Sequence, residues 1–309
     1  MFTFERTDCC DTALIACEKG HLNCIRRFIN AGIGVNSKIE FGPSRRNRTM
    51  LHVTSQHGHL EAVQALVEIH YANVNVATLC PANRKTGGTP LHSAAANGYH
   101  KVVSYLLVQG AKVDARDHNW ETPLMDGAQK GQFECLQLLL QAGADPNARQ
   151  KRGEQPLHWA CNKGHTKCSL LLLNHGADID AEDDDHETAL HDAAGRGRVE
   201  TTLFLLQKGA STSVREKDGQ TPLHWAAYHG HSECVKHLVE YGADPSASDH
   251  GIKPSVSTLK QICHRAVRRE IIARPSNTDT WRSQMPQDLN RWLDATKNDW
   301  KLETSRLVL

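Results

Sequence analysis

The sequence is governed by a period. A short phrase that opens on Thr or Gln and runs into an apolar helix start recurs at Thr12, Thr49, Thr89, Thr122, Gln155, Thr188 and Thr221, and from Thr89 onward each start follows the last by 33 residues. A chain repeating at that interval builds from units that contact only their neighbours, so its 309 residues need not gather around one core. The clearest copy, Gly219 to Asp249, shows what one unit is. Thr221 supplies a helix N-cap and Pro222 pre-sets the first turn. Leu223, Ala226 and Ala227 give this short helix a small apolar face, and Gly230 stops it. A second helix begins near Ser232, carries Cys234, Val235, Leu238 and Val239 at helical spacing, and ends at Gly242. Neither helix can bury its stripe alone, so neighbours must stack against it.

Thr-Pro-Leu-His with a closing Gly-Ala-Asp at this period resembles the ankyrin repeat. The resemblance covers most of Thr12 to Asp249 and implies an all-α ankyrin-repeat solenoid of about seven repeats over 1–249, starting near 9, 46, 86, 119, 152, 185 and 218. The first two intervals are 37 and 40 residues, which places insertions near Ile39 to Arg48 and Leu79 to Thr86, in the exposed finger loops. Arg45, Arg46 and Arg48 in one and Arg84 and Lys85 in the other are either solvated or a contact point for an acidic partner segment.

Charge and cysteine usage narrow the function. With 36 basic and 35 acidic residues the net charge is +1, without the basic excess of a dedicated nucleic-acid or membrane-surface protein, and neither partner is expected. The opening MFTFERTDCC has no apolar leader, and no window reaches the roughly 18 apolar residues of a membrane span, so the expected location is the cytoplasm, with the nucleus also open. Cys17, Cys24, Cys135, Cys168 and Cys234 stand where the repeat places small apolar residues and read as reduced core thiols. His158, Cys161, His165 and Cys168 have a spacing that suits zinc, but the repeat accounts for each separately; no metal site is expected. His52, His92, His158, His191 and His224 share one helix-start position, where they can bridge adjacent turns by hydrogen bonds. There is no Gly-rich phosphate loop, no Gly-x-Ser-x-Gly and no supported carboxylate pair; Asp183, Asp184 and Asp185 read as a solvated finger tip. No catalytic residue and no cofactor are expected.

After Asp249 the period fails. Val256, Leu259, Ile262, Cys263, Ala266, Val267 and Ile271 line one face of an amphipathic helix. Within it Thr258-Leu259, Cys263 and Val267, with Ile262 and Ala266 between, resemble the Elongin BC-binding box of SOCS-box proteins. Downstream, Met285-Pro286, Leu289, Trp292 and Leu293 resemble that family's cullin box, although Ser283 and Gln284 stand where the cullin-5 type carries Leu-Pro. The whole is similar to the ankyrin repeat and SOCS box family. The resemblance implies a three-helix box over 250–293, a tail over 294–309, and a non-catalytic substrate receptor of a ubiquitin ligase. Elongin B, Elongin C and cullin-5 (or cullin-2) with its RING protein would be recruited, while the array captures an unidentified protein substrate. The alternative is a plain ankyrin scaffold or adaptor whose 255–293 segment caps the stack.

In such arrays the finger tips and first-helix ends are the positions the fold leaves free. Here they offer His118, Asn119, Trp120 and Glu121, then Lys151 and Arg152, then Asp184 and Asp185, with Lys130, Lys163, Arg196, Tyr228 and His229 at helix ends. Bases lead on one finger and acids on the next, which suits a partner of mixed charge. Trp120 and His186 stand where the repeat normally has Gly at a positive backbone angle, so either the finger is reshaped or Trp120 folds back on its neighbour. An exposed Trp there would be a binding hot spot.

Overall fold

The computed structural model describes residues 10–39, 48–78, 87–245 and 247. Those residues form seven helix pairs, an all-α ankyrin-type arrangement as the period predicts. The chain divides into two compact units, Met1–Asp184 and Asp185–Leu309. The first holds the pairs α1 (Ala13–Glu18) with α2 (Leu22–Asn30), α3 (Met50–Gln56) with α4 (Leu60–Gln64), α5 (Pro90–Ala96) with α6 (His100–Val108), α7 (Pro123–Lys130) with α8 (Phe133–Gln141), and α9 (Pro156–Lys163) with α10 (Thr166–Asn174). The second holds α11 (Ala189–Gly195) with α12 (Val199–Gln207) and α13 (Pro222–Tyr228) with α14 (Ser232–Glu240).

Within each unit first helices pack on first helices: α1 on α3, α3 on α5, α5 on α7 and α7 on α9, and separately α11 on α13. The core follows the period. Leu91, Leu124, Leu157, Leu190 and Leu223 of the first helices are at most 1% exposed, and Leu106, Leu139, Leu172, Leu205 and Leu238 of the second helices are fully buried. Each such leucine contributes roughly 2–3 kcal/mol by leaving water. Cys234 lies 3.7 Å from Thr202 Oγ1 of α12, packed against the preceding pair.

The helix starts are built alike. At Thr49, Thr89, Thr188 and Thr221 the hydroxyl caps the helix while the imidazole three residues on (His52, His92, His191, His224) accepts the cap residue's backbone N–H at 3.0–3.3 Å. Gln155 with His158 does the same. The other ring nitrogen donates forward, from His52 to the Gly88 carbonyl, His92 to Glu121 and His191 to Gln220, at 3.1–3.3 Å. Each of these three histidines thus joins a helix start to the next finger. Burial depresses the pKa of His52 to about 4 and lowers that of His92, which keeps the rings neutral for these two opposite bonds.

One insertion is absorbed inside a helix. The second helices α2, α6, α8, α10, α12 and α14 each have 9 residues. The helix of the second pair runs on from α4 as a 5-residue π-helical turn, Ala65–Ile69, which takes up one extra residue. Tyr71, at φ 55°, then fills the left-handed position that Gly143 and Gly176 occupy elsewhere. Not all of the longer interval after Thr49 is therefore finger loop. The Elongin BC residues Thr258, Leu259, Ile262, Cys263, Ala266 and Val267, the cullin residues Met285, Pro286, Leu289, Trp292 and Leu293, the tail, and Arg45, Arg46, Arg84 and Lys85 lie outside the described residues.

Candidate protein-binding site

Three of the fingers are held from within by one side chain. Asp117 Oδ1 accepts the N–H groups of Asn119 and Glu121 at 2.7 and 2.8 Å. One period on, Gln150 Oε1 accepts that of Arg152 at 2.8 Å, and two periods further the carboxylate of Glu216 accepts those of Asp218 and Gln220, both at 2.9 Å. Backbone bonds close the same turn: Trp120 to Asp117, Gly153 to Gln150 and Gly219 to Glu216, at 2.8–3.0 Å. Gln150 and Glu216 are buried at 7% and 8% exposure, and Asp183, at their equivalent position, at 8%. This position was not singled out from the sequence, and its 33-residue recurrence of a carboxylate or carboxamide side chain (Asp117, Gln150, Asp183, Glu216) is the signal that could have found it. It also corrects the reading of Asp183 as solvated: only its two successors are exposed.

Those two successors are paired. Asp184 lies 3.0 Å from Arg149, and Asp185 lies 2.7 Å from Lys217. The alternation of acids and bases along the fingers is thus partly spent on finger-to-finger ion pairs, reinforced by backbone bonds from Lys151 to Asn119, Asp184 to Arg152 and Lys217 to Asp185 at 2.9–3.0 Å. Such exposed pairs set register more than stability. Of the other predicted residues, His118, Trp120, Lys130, Lys151, Arg152, Lys163, Arg196, Tyr228 and His229 are exposed, while Asn119 and Glu121 are half-buried parts of their own finger.

Trp120 keeps the finger's turn. It adopts the left-handed conformation at φ 64°, as does His186 at φ 61°, where Gly153 and Gly219 stand in the neighbouring fingers. The finger is not reshaped: its ring, 51% exposed, has the Arg116 guanidinium 5.4 Å above it. The non-glycine left-handed backbone costs about 1–2 kcal/mol.

In the second unit, Tyr228 and His229 belong to a recess. Glu187, Glu216, Asp218, Gln220, Trp225, Tyr228 and His229 line a cavity of about 210 Å³. Its walls are aromatic: the Trp225 ring stands edge-on to His191 with centroids 5.8 Å apart, and Tyr228 edge-on to His229 at 5.1 Å. Trp225 can sit there because residue 195 is glycine; a Cβ at Gly195 would fall 2.6 Å from its Cε3. Its lining includes the acidic residues Glu187, Glu216 and Asp218. A space this small holds one side chain, not a drug-sized ligand. Its aromatic faces and acids suit a cation.

The thiols are placed for packing. Burial pushes Cys17 and Cys135 up to about 12 and Cys168 up to about 11, and it raises Cys234, which keeps these sulfurs protonated and poorly nucleophilic. The zinc-spaced set points to separate partners: Cys161 to Ser169 at 3.3 Å, His165 to the Gln129 carbonyl at 3.2 Å, and His158 to the Gln155 N–H at 3.2 Å. Among the described residues no helix is long and apolar enough to cross a membrane.

Comparison with known proteins agrees with this architecture. The chain is 30% identical over 115 residues to the human transient receptor potential cation channel subfamily A member 1, covering 37% of this chain and 9% of the channel. It is 29% identical over 95 residues to alpha-latroinsectotoxin-Lt1a of Latrodectus tredecimguttatus, covering 31% of this chain and 6% of the toxin. The chain thus spans less than a tenth of the length of these relatives. The family described as ankyrin repeats (3 copies) matches residues 3–78, 77–150, 124–216 and 183–249, nearly the whole of the periodic region, and the chain belongs to the ankyrin repeat family.

Proposed function

We propose that this chain is a non-catalytic protein-interaction scaffold that grips its partner with finger tips and first-helix ends. The observation that carries this reading is the division of labour within each finger. One of the finger's own side chains and its backbone bonds satisfy the turn, which leaves Trp120 and the tip side chains to face solvent, as Tyr228 does at the end of α13. In the second unit the acid-lined aromatic recess takes one cationic side chain of the partner, arginine fitting best because its flat guanidinium stacks on Trp225 or Tyr228 while it meets a carboxylate. Capturing partners from cells with the wild type, with Trp120→Ala and with Tyr228→Ala/Asp218→Lys tests the reading. Specific partners should lose at least about tenfold in affinity to one of these variants while the fold, followed by circular dichroism, is unchanged. Partners retained by all three would sink it.

A second reading deserves its own test because a separate sequence pattern favours it. The scaffold would be the substrate receptor of a cullin-type ubiquitin ligase, with Thr258-Leu259, Cys263 and Val267 engaging Elongin B and Elongin C, and Met285-Pro286, Leu289, Trp292 and Leu293 engaging cullin-5 or cullin-2. The receptor would raise the effective concentration of a target lysine near the charged ubiquitin carrier and make no bonds itself. Co-expression with Elongin B and Elongin C decides: the wild type should co-purify with both, and Leu259→Asp/Cys263→Arg should not. Failure of the wild type to co-purify leaves the scaffold reading alone.

A further inference from the structure

We propose that Cys10, His21 and Cys24 form a zinc site that fastens the chain entering the first helix pair to α2. Their ligand atoms all lie within 4.8 Å of one another, with Cys10 Sγ 3.2 Å from His21 Nδ1. Tetrahedral zinc holds such atoms roughly 3.5–3.8 Å apart, given bonds near 2.3 Å to sulfur and 2.0–2.1 Å to nitrogen, so small side-chain adjustments close the site. Two thiolates and an imidazole are a zinc donor set, water completing the fourth position. Among the described residues no other three His, Cys, Asp or Glu side chains converge in this way.

The repeat itself shows why this place differs. His-x-x-Cys recurs at the start of the second helix as His21/Cys24, His165/Cys168 and His231/Cys234. In the later pairs the imidazole is spoken for: His165 donates to the Gln129 carbonyl and His231 to the Gly195 carbonyl of the helix pair before, at 3.2 and 3.1 Å, as His59 does to Glu18 at 2.7 Å. The described residues include no pair before α1 and α2. His21 turns instead to Cys10, a residue 1% exposed whose carbonyl accepts from the Arg27 guanidinium of α2 at 3.1 Å. A third donor therefore meets a repeat-encoded His–Cys pair only here. On binding, the two thiols release their protons to solvent and both sulfurs ligate as thiolates.

The test uses the full chain purified with reductant and without chelator. Elemental analysis should find one zinc per chain, and cobalt substituted for it should give a thiolate-to-metal charge-transfer band. Cys10→Ser and His21→Gln should each weaken zinc binding by more than about 100-fold, beyond what loss of a mere supporting partner costs. His165→Gln/Cys168→Ser should leave it unchanged. Both site variants lie outside the leucine core, so circular dichroism should report a retained fold. Zinc absent from the reduced protein, or zinc retained by Cys10→Ser/His21→Gln, would each overturn the proposal.

Discussion

The fingers at 117–121 and 216–220 share a skeleton and present different surfaces. In both, the first residue's N–H bonds the carbonyl of the last at 2.9–3.0 Å, the fourth residue is left-handed, and a carboxylate at the first position gathers two backbone N–H groups. Yet the first finger raises Trp120 above the surface beside Arg116, whereas the second, with Gly219 at that place, opens beside an acid-lined recess. The same hydrogen bonds thus carry either a projecting aromatic or a cavity. The finger's backbone is satisfied by one of its own side chains, so its exposed positions are left to a partner more than to the fold.

The 117–121 finger hangs on His92, whose burial lowers its pKa as it does that of His52 at the helix start one pair earlier, and acid should loosen both tethers. Histidine ordinarily titrates near 6.5; His52 in the fold does so at about 4, for which desolvation is the main cause. Between those values the unfolded chain takes up a proton that the folded chain refuses. The stability is therefore complete above pH 6.5 and is lost as pH falls toward 4. At about 1.4 kcal/mol per pH unit His52 alone accounts for roughly 3 kcal/mol, and His92, tethering the 117–121 finger, acts in the same direction. Urea midpoints measured from pH 7 to 4.5 should fall, and less steeply in His52→Gln.

Cutting the carboxylate from each finger tests whether the shared skeleton rests on it. Glu216→Ala should cost about 2–3 kcal/mol, since two backbone N–H groups lose a charged acceptor in a buried place. Asp117→Ala should cost somewhat less because Asp117 is only half-buried, so water can replace it. Equal and negligible losses in urea denaturation would mean that the turn holds itself.

The pairs and the leucine core were legible because the period writes them into residue type: a leucine at a fixed place every 33 residues has few other uses. The histidine bridges were legible for the same reason, as was the left-handed backbone at Trp120 and His186, which the missing glycine announces. The site was less so. The ion pairs of Asp184 and Asp185 depend on how neighbouring fingers lean, and the recess exists only because Gly195 lets the Trp225 ring lie over it. The π-helical turn at Ala65–Ile69 was hidden because sequence spacing shows that residues are extra but not where the chain stores them.

Exchanging the left-handed residues gives the next largest effect. Gly219→Ala should cost about 1–2 kcal/mol from backbone strain alone, and Trp120→Gly should return about 1 kcal/mol at the other finger. A Trp120→Gly chain that is more stable yet binds its partner worse would show strain retained for recognition; one that is less stable would mean that the stacked Arg116 outweighs the strain. Gly195→Ala should affect the recess more than the fold, by pushing Trp225 off its seat, and the readout is Trp fluorescence.

The smallest effect belongs to the ion pairs. Arg149 and Asp184 are 47% and 57% exposed, and Lys217 and Asp185 53% and 58%, so water and salt screen both bridges. Arg149→Ala and Lys217→Ala should each change stability by less than about 1 kcal/mol, and by less still at high salt. Their worth lies in which charges they leave over. Lys217 is held against Asp185, while Glu187, Glu216 and Asp218 are the acids of the recess that a partner's cation would meet. Asp185→Ala should release Lys217 toward the recess and weaken capture of an arginine-bearing partner several-fold, while Lys217→Ala should strengthen it. Partner affinities that ignore both substitutions would mean that the recess and the ion pair work independently, and the contrast between the two fingers would then rest on shape alone.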